Sequence, residues 1–208
     1  MNISRLQYIT NTIEEKTHPQ LVEEACKAGI DWIQLRIKKV GYSAWKQIAL
    51  DAQEICKAYN VTFIINDNVK LCKEIKADGV HLGKMDIPPH EARKLLGQSV
   101  IIGGTANTFY DIEGLVVQEV NYIGLGPYKF TATKEKLSPI LGIEGYKEII
   151  QSCALAGITV PIIGIGGITT TDTLLLKQTG IYGIAVSSSI TDAEDKGQAI
   201  ATFKKDLI

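Results

Sequence analysis

The chain has 208 residues, 45% of them apolar and 22% charged, and its 22 basic against 23 acidic side chains leave a formal charge of -1. That is ordinary globular usage, long enough for one substantial core and short for two, so a single domain over residues 1–208 is expected. The balanced charge excludes the basic footprint of a nucleic-acid binder, and no apolar run approaches the ~20 residues that a membrane helix needs, which leaves small-molecule chemistry.

The opening Met1-Asn2-Ile3-Ser4-Arg5 lacks the basic-then-apolar order of a signal peptide, so a cytoplasmic location is expected. Cys26, Cys56, Cys72 and Cys153 are widely spaced, with no C-x-x-C pair and no nearby histidine to complete a zinc site, and they read as buried thiols.

Short β-rich apolar runs recur at residues 6–10, 32–36, 62–67, 79–83, 100–105, 122–127, 161–167 and 183–189. Between them apolar residues fall at three- and four-residue spacings, as at Trp45, Ile48, Ala49, Ala52, Ile55 and Cys56, where a helix over 43–59 is predicted. Strands alternating with helices imply an α/β fold with parallel strands and right-handed crossovers. Eight near-equal units in a chain of this length fit the lower size limit of a single (β/α)8 TIM barrel. A doubly wound sheet is the alternative, but it would carry a Gly-rich phosphate loop after the first strand, and Ile9-Thr10-Asn11-Thr12 holds no glycine.

Barrel enzymes build their active sites at the C-terminal ends of the strands. At the second, a period of two sets Gln34, Arg36 and Lys38 on one side. Facing inward, they bring two cations to the mouth, where an anionic ligand would pair them; facing outward, they would lie against apolar helices. The third and fourth strands run into Asn66-Asp67 and Gly83-Lys84-Met85-Asp86. Adjacent strands lie about 4.8 Å apart, so Asp67 and Asp86 suit one shared hard cation, with phosphate oxygens and water completing an octahedral Mg²⁺. Either aspartate also suits a helix N-cap, Asp67 before a helical stretch from Lys70 and Asp86 before Pro88 and Pro89. His81 lies mid-strand near the mouth, and both core packing and ligand contact suit it. His18 and His90 read as surface residues at helix starts.

The fifth strand ends in Gly103-Gly104-Thr105-Ala106-Asn107-Thr108, a small-residue turn that lets main chain approach a ligand. After the sixth, Thr131, Thr133 and Lys134 offer two hydroxyls and an ammonium to a phosphate, although a solvated loop reads much the same. The seventh and eighth end in Gly164-Ile165-Gly166-Gly167-Ile168 and Ala185-Val186-Ser187-Ser188-Ser189. Loops after these strands often hold a phosphate through backbone N–H groups; a purely structural Gly-Gly turn is the other reading. Two anion sites emerge, one with a metal and one without, suiting small-molecule substrates that carry a diphosphate and a monophosphate.

In combination these motifs resemble the thiamine phosphate synthase family over nearly the whole chain. Its Q-x-R-x-K is matched by Gln34, Arg36 and Lys38, its N-D by Asn66 and Asp67, and its D-G-V-H-L-G with a following aspartate by residues 78–83 and Asp86. Its T-x-T-K is matched by Thr131, Thr133 and Lys134, its G-I-G-G-I by residues 164–168, and its A-V-x-S by residues 185–188. The resemblance implies a Mg²⁺-dependent transferase that joins 4-amino-5-hydroxymethyl-2-methylpyrimidine diphosphate to 4-methyl-5-(2-phosphoethyl)thiazole and releases pyrophosphate. It implies that Arg36, Lys38, Asn66 and Lys134 hold the diphosphate, with Mg²⁺ on Asp67 and Asp86. Gln34, Thr131 and Thr133 would line the substrates, with Thr105 and His81 beside them. Gly166, Gly167, Ser187 and Ser188 would take the thiazole phosphate. Arg36, Lys38 and Lys134 would be the catalytic cations, because the reaction is dissociative and its leaving group carries the charge.

Several positions depart from the commonest family pattern: Thr105 stands where serine is usual, Asn107 where histidine is common, Lys129-Phe130 where an apolar residue and proline are typical, and Ser187 where an apolar residue is usual. A sister family, the thiazole tautomerases, uses a histidine after strand five as its acid–base group, and Asn107 argues against that alternative. A non-catalytic binder of thiamine precursors is a second alternative, and the retained carboxylates argue against it. A homo-oligomer is compatible with the sequence.

Overall fold

A computed structural model describes residues 3–131 and 139–208. Among them eight parallel strands close into a barrel: β1 (Leu6–Ile9), β2 (Trp32–Leu35), β3 (Thr62–Asn66), β4 (Gly79–Leu82), β5 (Ile101–Ala106), β6 (Tyr122–Leu125), β7 (Ile162–Ile165) and β8 (Gly183–Val186). Around it lie α1 (His18–Lys27), α2 (Tyr42–Ala58), α3 (Val69–Ile75), α4 (Pro89–Leu96), α5 (Phe109–Val117), α6 (Gly142–Leu155), α7 (Thr173–Gln178), α8 (Ser188–Thr191) and α9 (Lys196–Leu207). The expected (β/α)8 architecture is the one observed, and the helix expected over 43–59 is α2. Most strands stop one or two residues earlier than the apolar runs suggest, because the ladder ends where the chain bends into the site loops.

Strands buried on both faces read as continuous apolar runs. Alternate residues serve two cores. One lies between sheet and helices; the other fills the barrel with Ile9, Trp32, Ile64, Ile101, Tyr122 and Ile163. The four cysteines are buried free thiols, as expected, and Cys26 of α1 and Cys56 of α2 hydrogen-bond to each other. The barrel seam pairs Leu6 with Ile184 and Tyr8 with Val186. Gly183 makes that closure possible, since a Cβ there would sit 2.2 Å from the Arg5 carbonyl oxygen. Among the described residues no helix is long and apolar enough to cross a membrane.

Candidate active site at the strand ends

Asp67 is the first residue beyond β3 and takes a left-handed φ of 64°, a region that asparagine and aspartate enter more readily than most residues. Its N–H donates to the His81 carbonyl at 2.8 Å, which fixes it against β4. Asp86 closes a tight turn beside it: Oδ2 accepts the Gly83 N–H at 2.7 Å. The two carboxyl groups share a hydrogen bond, and that of Asp67 is pushed up to about 6. Loss of water among packed neighbours is the main cause, and Asp86 adds to it, while Arg36 and Lys38 pull the other way. Neither aspartate is a helix cap. Asn68 caps α3, accepting the Leu71 N–H at 2.9 Å, and Pro88 stands at the cap of α4.

This pair suits a hard cation: two carboxylates that repel each other are brought within hydrogen-bond reach, which a shared divalent ion would reverse. Among the described residues no group of three or more His, Cys, Asp or Glu side chains could hold a metal. An ion here would therefore be completed by water and substrate oxygens, as Mg²⁺ commonly is.

Arg36 and Lys38 follow β2 at the same rim, half-buried and exposed, close enough that both act on Asp67. The Arg36 N–H donates to the Thr10 hydroxyl at 3.1 Å, and that hydroxyl also meets His18 Nδ1 at 2.9 Å. Asn66 is buried at the end of β3. Thr131 is half-buried just past β6, while Thr133 and Lys134 lie outside the described residues.

Inside the barrel below this rim runs a line of polar side chains. Gln34 Nε2 donates to Gln7 Oε1 at 3.1 Å, and Gln7 Nε2 donates to the Tyr122 hydroxyl at 3.4 Å. That hydroxyl meets His81 Nδ1 at 3.0 Å, and His81 Nε2 meets Thr105 Oγ1 at 3.0 Å. Two glycines make room for the rings. A Cβ at Gly103 would lie 2.2 Å from Tyr122 Cζ, and one at Gly124 would lie 3.1 Å from His81 Cε1. Gly103 and Gly104 are thus mid-strand, filled against by Tyr122 and Leu115, and not the ligand-approach turn that their composition suggests.

Across the mouth, Gly166 and Gly167 follow β7 with φ of 98° and 66°. Ser187 and Ser188 enter α8, where Ser187 Oγ donates to Asn11 Oδ1 at 3.1 Å. Among the described residues the turn and loop hydrogen bonds leave the N–H groups of Gly167, Ser187 and Ser188 unused. The segment after β6 covers this turn: Tyr128 and Lys129 donate their N–H groups to the Ile165 and Gly166 carbonyls, both at 2.9 Å. Lys129 Nζ adds an ion pair to buried Asp172 at 2.6 Å, so the unusual Lys129 ties the sixth loop to the seventh. Asn107, where a tautomerase would need its histidine, is buried with its amide N–H on the Gly126 carbonyl.

His18 departs from expectation: it starts α1, yet it is buried between Thr10 and Thr12, because Thr17 and Gln20 form the capping box and turn the imidazole inward. Gln7, Thr10, Asn11 and Tyr122 are the site-supporting residues absent from the sequence reading. The period-two rule that flagged Gln34 also finds Gln7, the polar residue inside an apolar strand.

The family described as thiamine monophosphate synthase matches residues 6–190. A thiamine-phosphate synthase of Flavobacterium johnsoniae is 50% identical over 206 residues, covering 98% of this chain and 96% of that one. One from Bacteroides fragilis is 43% identical over 190 residues, covering 91% and 93%. Among solved structures, a thiamine phosphate pyrophosphorylase from Pyrococcus furiosus superposes with a TM-score of 0.84 at 28% identity, covering 98% of this chain and 95% of that one. The chain therefore belongs to the thiamine monophosphate synthase family and is a transferase.

Proposed function

We propose that this transferase joins 4-amino-5-hydroxymethyl-2-methylpyrimidine diphosphate to 4-methyl-5-(2-phosphoethyl)thiazole, giving thiamine phosphate and pyrophosphate. The observation that carries the reading is the Asp67–Asp86 carboxylate pair flanked by Arg36 and Lys38, set across the mouth from the Gly166-Gly167 turn. Bound between Asp67 and Asp86, Mg²⁺ would supply positive charge against the leaving diphosphate.

Arg36, Lys38, Asn66 and Lys134 bind the diphosphate and orient it, and Arg36 and Lys38 meet charge that grows as the C–O bond breaks. The pyrimidine methylene then carries the positive charge, and the thiazole nitrogen forms the new C–N bond. Thr105, Thr131 and Thr133 line the ring substrates, above the buried Gln34 and His81. The N–H groups of Gly167, Ser187 and Ser188 hold the thiazole phosphate without a cation, so the two anions are sorted by chemistry. No group has to take a proton from a nucleophile, which agrees with a rim of cations and carboxylates that, among the described residues, lacks a nucleophile–base pair. A biosynthetic transferase acting on such phosphates suits the cytoplasm.

The test is pyrophosphate release by the purified chain with both substrates, with and without Mg²⁺. Release that needs both substrates and the ion supports the reading. Isomerisation of the thiazole alone, or binding without turnover, would replace it.

A further inference from the structure

The buried line from Gln34 to Thr105 has a direction. Gln34, Gln7, Tyr122 and His81 are each exposed by 8% or less, so the protons they share can be followed from one side chain to the next. Gln7 spends its carbonyl on Gln34 and its amide N–H on the Tyr122 oxygen. Tyr122 has a single proton, and burial, only partly offset by the hydrogen bond from Gln7, holds its pKa above the ordinary range, so the phenol keeps that proton. Already accepting from Gln7, the hydroxyl has one partner left to receive its hydrogen: His81 Nδ1, 3.0 Å away. An imidazole that accepts at Nδ1 carries its proton on Nε2, and that N–H points at Thr105 Oγ1, 3.0 Å away. Thr105, accepting from His81, turns its own hydrogen away from the barrel interior. It is half-exposed near the C-terminal end of β5, facing the mouth.

We propose that Gln7, Tyr122 and His81 are positioning residues that compel the Thr105 hydroxyl to donate, so that it selects an unprotonated acceptor atom on the pyrimidine diphosphate. This deepens the reading under Proposed function and rests on it for the identity of that substrate. Two atoms have the required chemistry, a ring nitrogen of the pyrimidine and an oxygen of the diphosphate. Both offer a lone pair and no hydrogen. The room kept by Gly103 for the Tyr122 ring and by Gly124 for the His81 ring marks the line as built into the fold.

The experiment begins with the unmodified chain, labelled with ¹⁵N. Long-range proton–nitrogen spectra at pH 7.5 read the His81 tautomer, its signals assigned by their loss in His81→Asn. The expected result is the Nε2–H form, and an Nδ1–H form would mean that the line runs the other way and overturns the proposal. Tyr122→Phe keeps the ring that fills the Gly103 hollow and removes only the hydroxyl. It is expected to abolish the tautomer preference and to weaken pyrimidine diphosphate binding about fivefold, the worth of one neutral hydrogen bond. Thr105→Val is expected to match it, whereas Thr105→Ser retains binding. Unchanged tautomer and unchanged affinity in Tyr122→Phe would also overturn the proposal. Inorganic pyrophosphate is the second probe: losses shared with it assign the acceptor to the diphosphate, and losses seen only with the full substrate assign it to the ring. A chain with the Nε2–H tautomer that failed to bind the pyrimidine diphosphate would refute the substrate and leave the polarity of the line standing.

Discussion

His18 Nδ1 lies 2.9 Å from the Thr10 hydroxyl, and that hydroxyl accepts the N–H of Arg36. Thr10 is fully buried, and among the described contacts Nδ1 is the acceptor within reach of its hydrogen, which places the imidazole proton on Nε2, toward Thr12 at 3.3 Å. A second ring proton would face the Thr10 hydrogen and loosen the support of Arg36. Burial accordingly holds the His18 pKa below its ordinary value. The unfolded chain, with an ordinary histidine near about 6.5, binds this proton first as pH falls. The contribution of His18 is thus fully present above about pH 6.5 and is lost as pH drops toward the lowered folded value. Urea unfolding of the parent chain and of His18→Gln, at pH 7.5 and at pH 5, checks this. The parent should lose more stability between the two pH values than the variant, and parallel losses would contradict the assignment.

Asp67→Asn is expected to lower Mg²⁺-dependent turnover at least tenfold, about the size of effects seen when metal binding is impaired, while leaving the fold intact. The variant is a clean one, because asparagine accepts the left-handed φ of 64° as well as aspartate does and the N–H to the His81 carbonyl is kept. Removing one charge also relieves the repulsion from Asp86 that lifts the Asp67 pKa. Melting temperature at neutral pH without added metal should stay level or rise. Metal-independent, undiminished activity would remove the carboxylate pair from the chemistry.

At the opposite side of the mouth, Ser187→Ala tests whether main chain alone holds the monophosphate. The Ser187 hydroxyl donates to Asn11, so its loss leaves the backbone N–H in place. Thiazole phosphate affinity is expected to change by no more than about threefold, less than 1 kcal/mol. Calorimetric titration decides, and a loss beyond tenfold would make the hydroxyl a ligand. Gly167→Val is a different kind of change: its Cβ would stand 2.6 Å from the Phe130 carbonyl oxygen at a φ of 66°. That variant should displace residues 129–130 and weaken both substrates, since the segment leads directly to Thr131.

The sequence carried the architecture because β-rich runs and helical spacing recur with one period along the chain, and it carried the rim residues because Arg36, Lys38, Asp67 and Asp86 sit just beyond strand ends. It did not carry what depends on three-dimensional neighbours. Nothing in the local pattern of Gly103 says that the ring of Tyr122, on the next strand, fills its hollow. His18 reads as a surface residue because helix starts usually are exposed, yet the direction of its ring is set by the capping box from Thr17 to Gln20. Lys129 looks like a loop substitution until Asp172, 43 positions away, is found beneath it.

Gly103→Ala should be costly for the reason just given. With the new carbon 2.2 Å from Tyr122 Cζ and 2.4 Å from Cε1, the ring must move, and overpacking of this kind costs about 1–3 kcal/mol. Tyr122→Phe should not rescue it, because ring carbons as well as the hydroxyl are in the way, whereas Tyr122→Leu should recover part of the loss. Denaturant midpoints of the single and double variants measure that coupling, and strict additivity would show that the ring is not the obstacle.

The seam between β1 and β8 has a consequence for how the barrel is made. Its bonds, such as the Tyr182 hydroxyl to the Ile3 carbonyl 179 positions away, join the two ends of the described chain. Closing so long a loop is entropically expensive and slow. During synthesis β1 has no partner on that side until β8 has emerged, so this edge of the barrel can close only after the last strand is made. Gly183, the residue that lets the edges meet, is thus needed for that closure as well as in the finished molecule.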